Sequence, residues 1–147
     1  MADFIELAVG ARPWQPHPDA EVVSQYNYWN MPTLGVVQLH GQTFLFECLL
    51  NPEGESHVWR YVHIAESDHE TLEAAEDVHR AADDVTQGSY YTLAFANDDL
   101  GVFAARNVET GWSAKSAEAV IRTFMKEVDS AMERHVRDAA ELRGALA

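Results

Sequence analysis

The sequence predicts an α+β fold, in which a single antiparallel sheet of five to six strands carries two packed helices. Several segments alternate side chains with the two-residue period of a strand, and short turns join them. Such turns can connect only antiparallel neighbours. Two other segments have the helical period, which gives the order (β)βββαββα. The chain has 147 residues, of which 47% are hydrophobic, enough for one core and one domain over residues 1–147.

The N-terminal part is the least regular. Residues 4–9 have the composition of a strand. Residues 10–33 are predicted to be irregular, because three prolines in residues 13–18 remove backbone donors and hold the chain extended. Asp19 is expected to cap a short helical turn that carries Val22.

Three strands are predicted next. Residues 36–40 and 43–50 form a hairpin around Gly41. The second of these strands is apolar on both faces, which is typical of a central strand covered on both sides. Residues 57–64 form the third strand.

Helices and a second hairpin complete the fold. Ser67 and Glu70 fit a capping box that opens a helix reaching about Val85. Residues 90–96 and 102–108 read as the second hairpin. Residues 114–142 form a long C-terminal helix with an apolar residue at every fourth position.

The net charge of −14 is unevenly distributed. Residues 1–112 hold 18 acidic residues and four arginines, whereas residues 113–147 hold six acidic and six basic residues. An acidic body repels nucleic acid and anionic lipid, so we expect no direct binding to nucleic acid or membrane. A basic protein partner would be attracted instead. The alternative explanation is that the acidic surface serves only to keep the protein soluble.

One face of the third strand is the leading candidate for a site. His57, Trp59, Tyr61 and His63 share that face by the two-residue period, and Glu47 is expected to join them from the neighbouring strand. If the face is open, it offers a small planar ligand two aromatic surfaces and acid–base groups. If the face is covered, the aromatic side chains belong to the core, and His57 and His63 lie at its edges.

Tyr28 and Trp29 are the second candidate, since exposed aromatic residues often anchor protein interfaces. Alternatively, they belong to an aromatic lid that holds the N-terminal segment on the core. The C-terminal helix is a third candidate, because its apolar face could join two copies into a homodimer. Its distal part carries Val136, Ala139 and Leu142.

No short catalytic, phosphate-binding or metal-binding signature occurs, so the sequence predicts no cofactor and no metal site. The sequence predicts no membrane span and no signal peptide. Eight arginines against two lysines favour a bacterial origin. The leading hypothesis is therefore a non-enzymatic, cytoplasmic protein-binding module of the inhibitor, immunity or adaptor kind. The alternative is an enzyme or ligand-binding domain that uses Glu47, Trp59, Tyr61 and His63.

Overall fold

The computed structural model describes the backbone of residues 4–146 and the side chains of residues 4–134. The elements are β1 (Glu21–Tyr28), β2 (Pro32–Leu39), β3 (Gln42–Leu50), β4 (Ser56–Ile64), α1 (Glu66–Ala74), α2 (Val78–Thr86), β5 (Tyr91–Asn97), β6 (Gly101–Val108) and α3 (Ala114–Leu146).

The six strands form one sheet in the order β1-β2-β3-β4-β5-β6, with every neighbouring pair antiparallel. This confirms the predicted α+β class. The β2–β3 turn consists of His40 and Gly41, both with positive φ (52° and 78°). A two-residue hairpin turn with two left-handed residues matches the twist of its strands, which fixes the register of β2 on β3.

The helices cover one face of the sheet. Leu72 of α1, Ala82 of α2 and Phe124 and Val128 of α3 pack on the apolar residues of that face. The predicted helix over residues 67–85 is two helices. The break falls at Ala75–Asp77, where the Asp77 carboxylate caps α2 by accepting from the Arg80 amide (3.2 Å). No helix in the described part of the chain is long and apolar enough to cross a membrane.

The N-terminal segment, residues 4–20, covers the opposite face. Ile5, Leu7 and Trp14 pack against the apolar side chains of β2 to β6. The segment contains no strand, so the prediction of a strand at residues 4–9 was wrong. It follows an irregular path, with an isolated bridge between Arg12 and Gln15.

The short helical turn predicted after Asp19 was also wrong, because residues 21–28 are the edge strand β1. Val22 packs against the cluster beneath the N-terminal segment, and after a register shift Tyr26 packs on the helix-covered face. The Tyr26 hydroxyl donates to Glu73 of α1 (2.8 Å), so α1 holds this edge strand in place.

Candidate functional site

The aromatic face of β4 is covered by the N-terminal segment. Trp59 and Tyr61 are 0% and 1% exposed. The Trp14 ring lies 6.4 Å from that of Trp59, and the Tyr61 hydroxyl donates to the Pro13 carbonyl (2.7 Å). Burial raises the pKa of Tyr61 well above its ordinary value. These two side chains therefore anchor the segment rather than face an open cavity.

His57 is buried with a partner for each ring nitrogen. The Trp59 Nε1–H donates to Nδ1 (3.0 Å), and Nε2 lies 2.9 Å from a carboxylate oxygen of Asp98. Because an indole N–H can only donate, Nδ1 is the acceptor and Nε2 carries the proton that goes to Asp98. His57 could act as an acid or base only by giving up one of these bonds.

Glu47 does not join this face, so the expectation that it lies beside Trp59 and Tyr61 was wrong. It is paired directly with Arg60 across β3 and β4, and directly paired residues point to the same side of a sheet. Trp59 pairs with Cys48 instead. The turn at residues 51–55 sets this register, and the alternation within each strand does not reveal it.

His63 is exposed and lies at the other end of β4, beside Phe44 (ring centroids 5.5 Å apart). Four residues of extended strand, about 13 Å, separate it from Trp59. The four residues of the predicted ligand site are therefore not brought together into one cavity.

A buried arginine on the helix-covered face was missed by the sequence analysis. Arg60 is 0% exposed and donates to Glu47 (2.7 Å), to the Thr86 hydroxyl (2.9 Å) and to Asp83 (3.4 Å). Its guanidinium also lies 3.8 Å from the centre of the Trp112 ring. The sequence does contain a signal for this pair, because Arg60 alternates with valines on one face of the strand. A charge buried on such a face needs a carboxylate partner.

Three of the turns between strands lie at the same end of the sheet. In an up-and-down sheet, alternate turns lie at the same end, and here they are residues 29–31, 51–55 and 98–100. Residues 9–12 of the N-terminal segment join them, because the Gly10 amide donates to the Val102 carbonyl (2.7 Å). We call these four stretches, together with the strand ends Tyr28 and Leu50, the turn end.

Most of the exposed large apolar side chains are at the turn end. Among the described residues eight such side chains are exposed, and five of them belong to it. They are Val9, Tyr28 (63% exposed), Trp29 (53% exposed), Leu50 and Leu100. The structure thus places the predicted candidates Tyr28 and Trp29 at the surface and not in a lid over the core.

Carboxylates share the turn end with these apolar side chains. Glu53, Glu55, Asp98 and Asp99 are exposed on two of the three turns, against the single positive charge of Arg12. More widely, Glu47 is largely covered (12% exposed), and no aspartate or glutamate is fully buried among the side chains that the structure describes. Most of the acidic charge is therefore displayed on the surface.

Two depressions lie at or beside the turn end. A cavity of about 270 Å³ is lined by residues that include Arg12, Asn30, His57 and Asp98. A more open groove of about 600 Å³ runs from Leu50 along α3 past Trp112, Ile121 and Met125. The buried Nε1 of Trp112 has no hydrogen-bond partner among the residues whose side chains the structure describes.

Metal-ligating side chains approach one another at the opposite end of the sheet. Within the range of described side chains, His17, Asp19 and His40 form a group whose ligand atoms lie within 4.8 Å of each other. No protein-family model, curated protein or solved structure shows significant similarity to the chain.

Proposed function

We propose that this protein is a binding module for a basic polypeptide, and that the turn end is its binding surface. The observation that carries the proposal is the grouping of five exposed apolar side chains, two of them aromatic, on the turns at one end of the sheet. Exposed apolar residues are normal when scattered singly. When several lie at one end of a sheet among polar groups, they favour an interaction site.

Tyr28 and Trp29 supply the contact area. Aromatic side chains bury a large surface and lose few rotamers, which is why they dominate the binding energy of interfaces. Leu50 continues the apolar surface into the groove beside α3.

The charge argues for a basic partner. The turn end has four exposed carboxylates and one arginine, and it belongs to a chain with a net charge of −14. This potential attracts Lys- and Arg-rich segments and repels phosphate backbones. Most of the charges lie on the rim, so we expect them to affect the association rate and salt dependence more than the contact energy.

The cavity beside His57 suits a side chain of the partner better than a separate small molecule. Its volume of about 270 Å³ is just below the lower limit of roughly 300 Å³ that is usual for ligand pockets. His57, the imidazole in its lining, has both ring nitrogens occupied. We therefore place the proposed function in binding and not in catalysis.

The test uses a phage-displayed library of random linear peptides, selected on the purified protein. We expect enrichment of Lys and Arg together with aromatic or branched apolar residues. Calorimetry should show that Trp29→Ser weakens the selected peptide by about tenfold or more. Higher salt should also weaken it, because charge is screened.

Tyr90→Ser is the matched control. Tyr90 is an aromatic residue of similar exposure (46%) that lies outside the turn end, so its replacement should leave peptide affinity unchanged. Selected peptides without excess positive charge, or equal affinities for the wild-type and Trp29→Ser proteins, would contradict the proposal.

A further inference from the structure

The end of the sheet opposite the turn end brings two histidines and two carboxylates together from two parts of the chain. Glu6, His17 and Asp19 belong to the N-terminal segment, and His40 belongs to the β2–β3 turn. The two imidazole rings meet edge to face with their centroids 5.3 Å apart. We propose that His17, Asp19 and His40 bind a divalent transition-metal ion, for which Zn²⁺ is the best fit.

The spacing of the ligand atoms suits such an ion. His40 Nε2 lies 3.1 Å from Asp19 Oδ2, and His17 Nδ1 lies 3.9 Å from the same oxygen. Zinc bonds to nitrogen and oxygen of about 2.0–2.1 Å give a tetrahedral ligand-to-ligand separation of about 3.4 Å. The two distances bracket that value, so small side-chain rotations complete the geometry.

Metal binding would exchange a hydrogen bond at each ligating nitrogen for a bond to the ion. His40 Nε2 lies 3.1 Å from Asp19 Oδ2, and because a carboxylate can only accept, this nitrogen gives up its proton when the ion binds. The Asp19 amide donates to His17 Nδ1 (3.0 Å), so this nitrogen carries no proton and its lone pair is directed at that amide. A metal ion would replace the amide as the partner of Nδ1. The proton then resides on His17 Nε2, on the far side of the ring.

Glu6 faces the far nitrogens of both rings. Its two carboxylate oxygens lie 4.0 Å from His17 Nε2 and 3.9 Å from His40 Nδ1. A carboxylate behind a metal-bound imidazole fixes the ring orientation and makes the ligating nitrogen more basic. Glu6 is thus a positioning residue for both histidines and not a ligand.

The donor set and exposure indicate which ion enters and how. Two imidazoles and a carboxylate favour zinc over magnesium or calcium, which prefer oxygen ligands. Asp19 and His40 are 65% and 53% exposed, so an ion reaches them directly from solvent. Three protein ligands leave a fourth position for water. The bound ion would join the N-terminal segment to the β2–β3 turn.

The experiment titrates ZnCl₂ into the full-length protein after treatment with a chelator, followed by calorimetry. We expect one ion per chain. Glu6→Gln should weaken binding by roughly 10- to 100-fold, and His40→Ala or Asp19→Ala should weaken it further. CoCl₂ should give the visible absorption bands of a four-coordinate site in the wild-type protein and not in His40→Ala or Asp19→Ala.

Asp19 and His40 are largely exposed, so their replacement should leave the circular dichroism spectrum unchanged. His63→Ala removes an exposed histidine outside the cluster and is the matched control, which should bind Zn²⁺ like the wild type. Failure of the wild-type protein to bind Zn²⁺ saturably, or equal affinity in His40→Ala and wild type, would overturn the proposal.

Discussion

Replacing Arg60 tests whether the buried ion pair on the helix-covered face is required for stability. In Arg60→Ala the guanidinium disappears from a fully buried position. Glu47, whose side chain is only 12% exposed, then loses its closest cationic partner. The Trp112 ring also loses the group stacked on one of its faces.

The expected loss follows from the desolvation of Glu47. Removing one partner of a buried pair costs about 3–5 kcal/mol, because the remaining charge stays buried without compensation. Asp83 adds little, since it is 46% exposed and its contact is 3.4 Å long. His79 lies 3.4 Å from Glu47 and compensates in part, so we expect the lower end of the range.

Urea unfolding followed by circular dichroism measures this loss. With a urea m-value of about 1–3 kcal/mol/M, the midpoint should fall by about 2 M. Arg106→Ala is the matched control: Arg106 pairs with Glu127 at 2.9 Å but is 45% exposed, so it should cost less than about 1 kcal/mol.

A double variant separates the ion pair from simple packing. Arg60→Met with Glu47→Leu replaces both charges by apolar side chains, which in buried pairs is often neutral or stabilising. It should therefore be more stable than Arg60→Ala. If Arg60→Ala cost no more than Arg106→Ala, Glu47 would not depend on Arg60 and the reasoning would be refuted.

Three further predictions concern other parts of the sheet. In Gly35→Ala the new Cβ would clash with the Ser24 backbone carbonyl oxygen and lie 2.7 Å from the Phe46 ring, so unfolding by urea should show a loss of about 1–3 kcal/mol; an unchanged midpoint would mean that both the ring and the β1 backbone move freely. Burial raises the pKa of Cys48 from 9.0 to about 12, so at pH 8 a disulfide reagent should modify it roughly a thousandfold more slowly than in the urea-unfolded chain; equal rates would show an accessible thiolate. Hydrogen bonds, first from Ser24, lower the pKa of Glu73 below 4.5. A lowered carboxyl pKa stabilises the fold above the unfolded value, and that stability is lost as the pH falls through the folded value. Glu73→Gln should therefore cost less than about 1 kcal/mol at pH 7, because the group is half exposed, and nothing in stronger acid. A loss of stability that does not depend on pH would show that the hydrogen bonds to the Glu73 carboxylate are not its cause.

The hairpins were predictable because their signals are local. Gly41 marks the β2–β3 turn, and the alternation around it assigns each side chain to a face. The break between α1 and α2 was missed although it carries a local signal. Asp77 is a favourable N-cap residue, but the helical apolar period continues across it without glycine or proline.

The site was less predictable because it depends on register and on non-local contacts. Whether Glu47 faces Trp59 or Arg60 changes with a shift of one residue, which the sequence of the intervening turn does not determine. Tyr28 and Trp29 were identified as candidates from residue type alone. Their grouping with Leu50 and Leu100 depends on three turns meeting at one end, which is a property of the whole sheet.

The proline content of the N-terminal segment explains how irregular chain can cover a sheet. A backbone lying on an apolar face must pair its N–H groups, and prolines have none. Pro13 and Pro16 are buried there, and their carbonyls accept from Tyr61 and from the Ala8 amide (2.7 and 2.8 Å). The same composition that excludes regular structure thus lowers the cost of burying the segment. As a result, one segment reaches both the proposed metal site and the turn end without a helix or strand of its own.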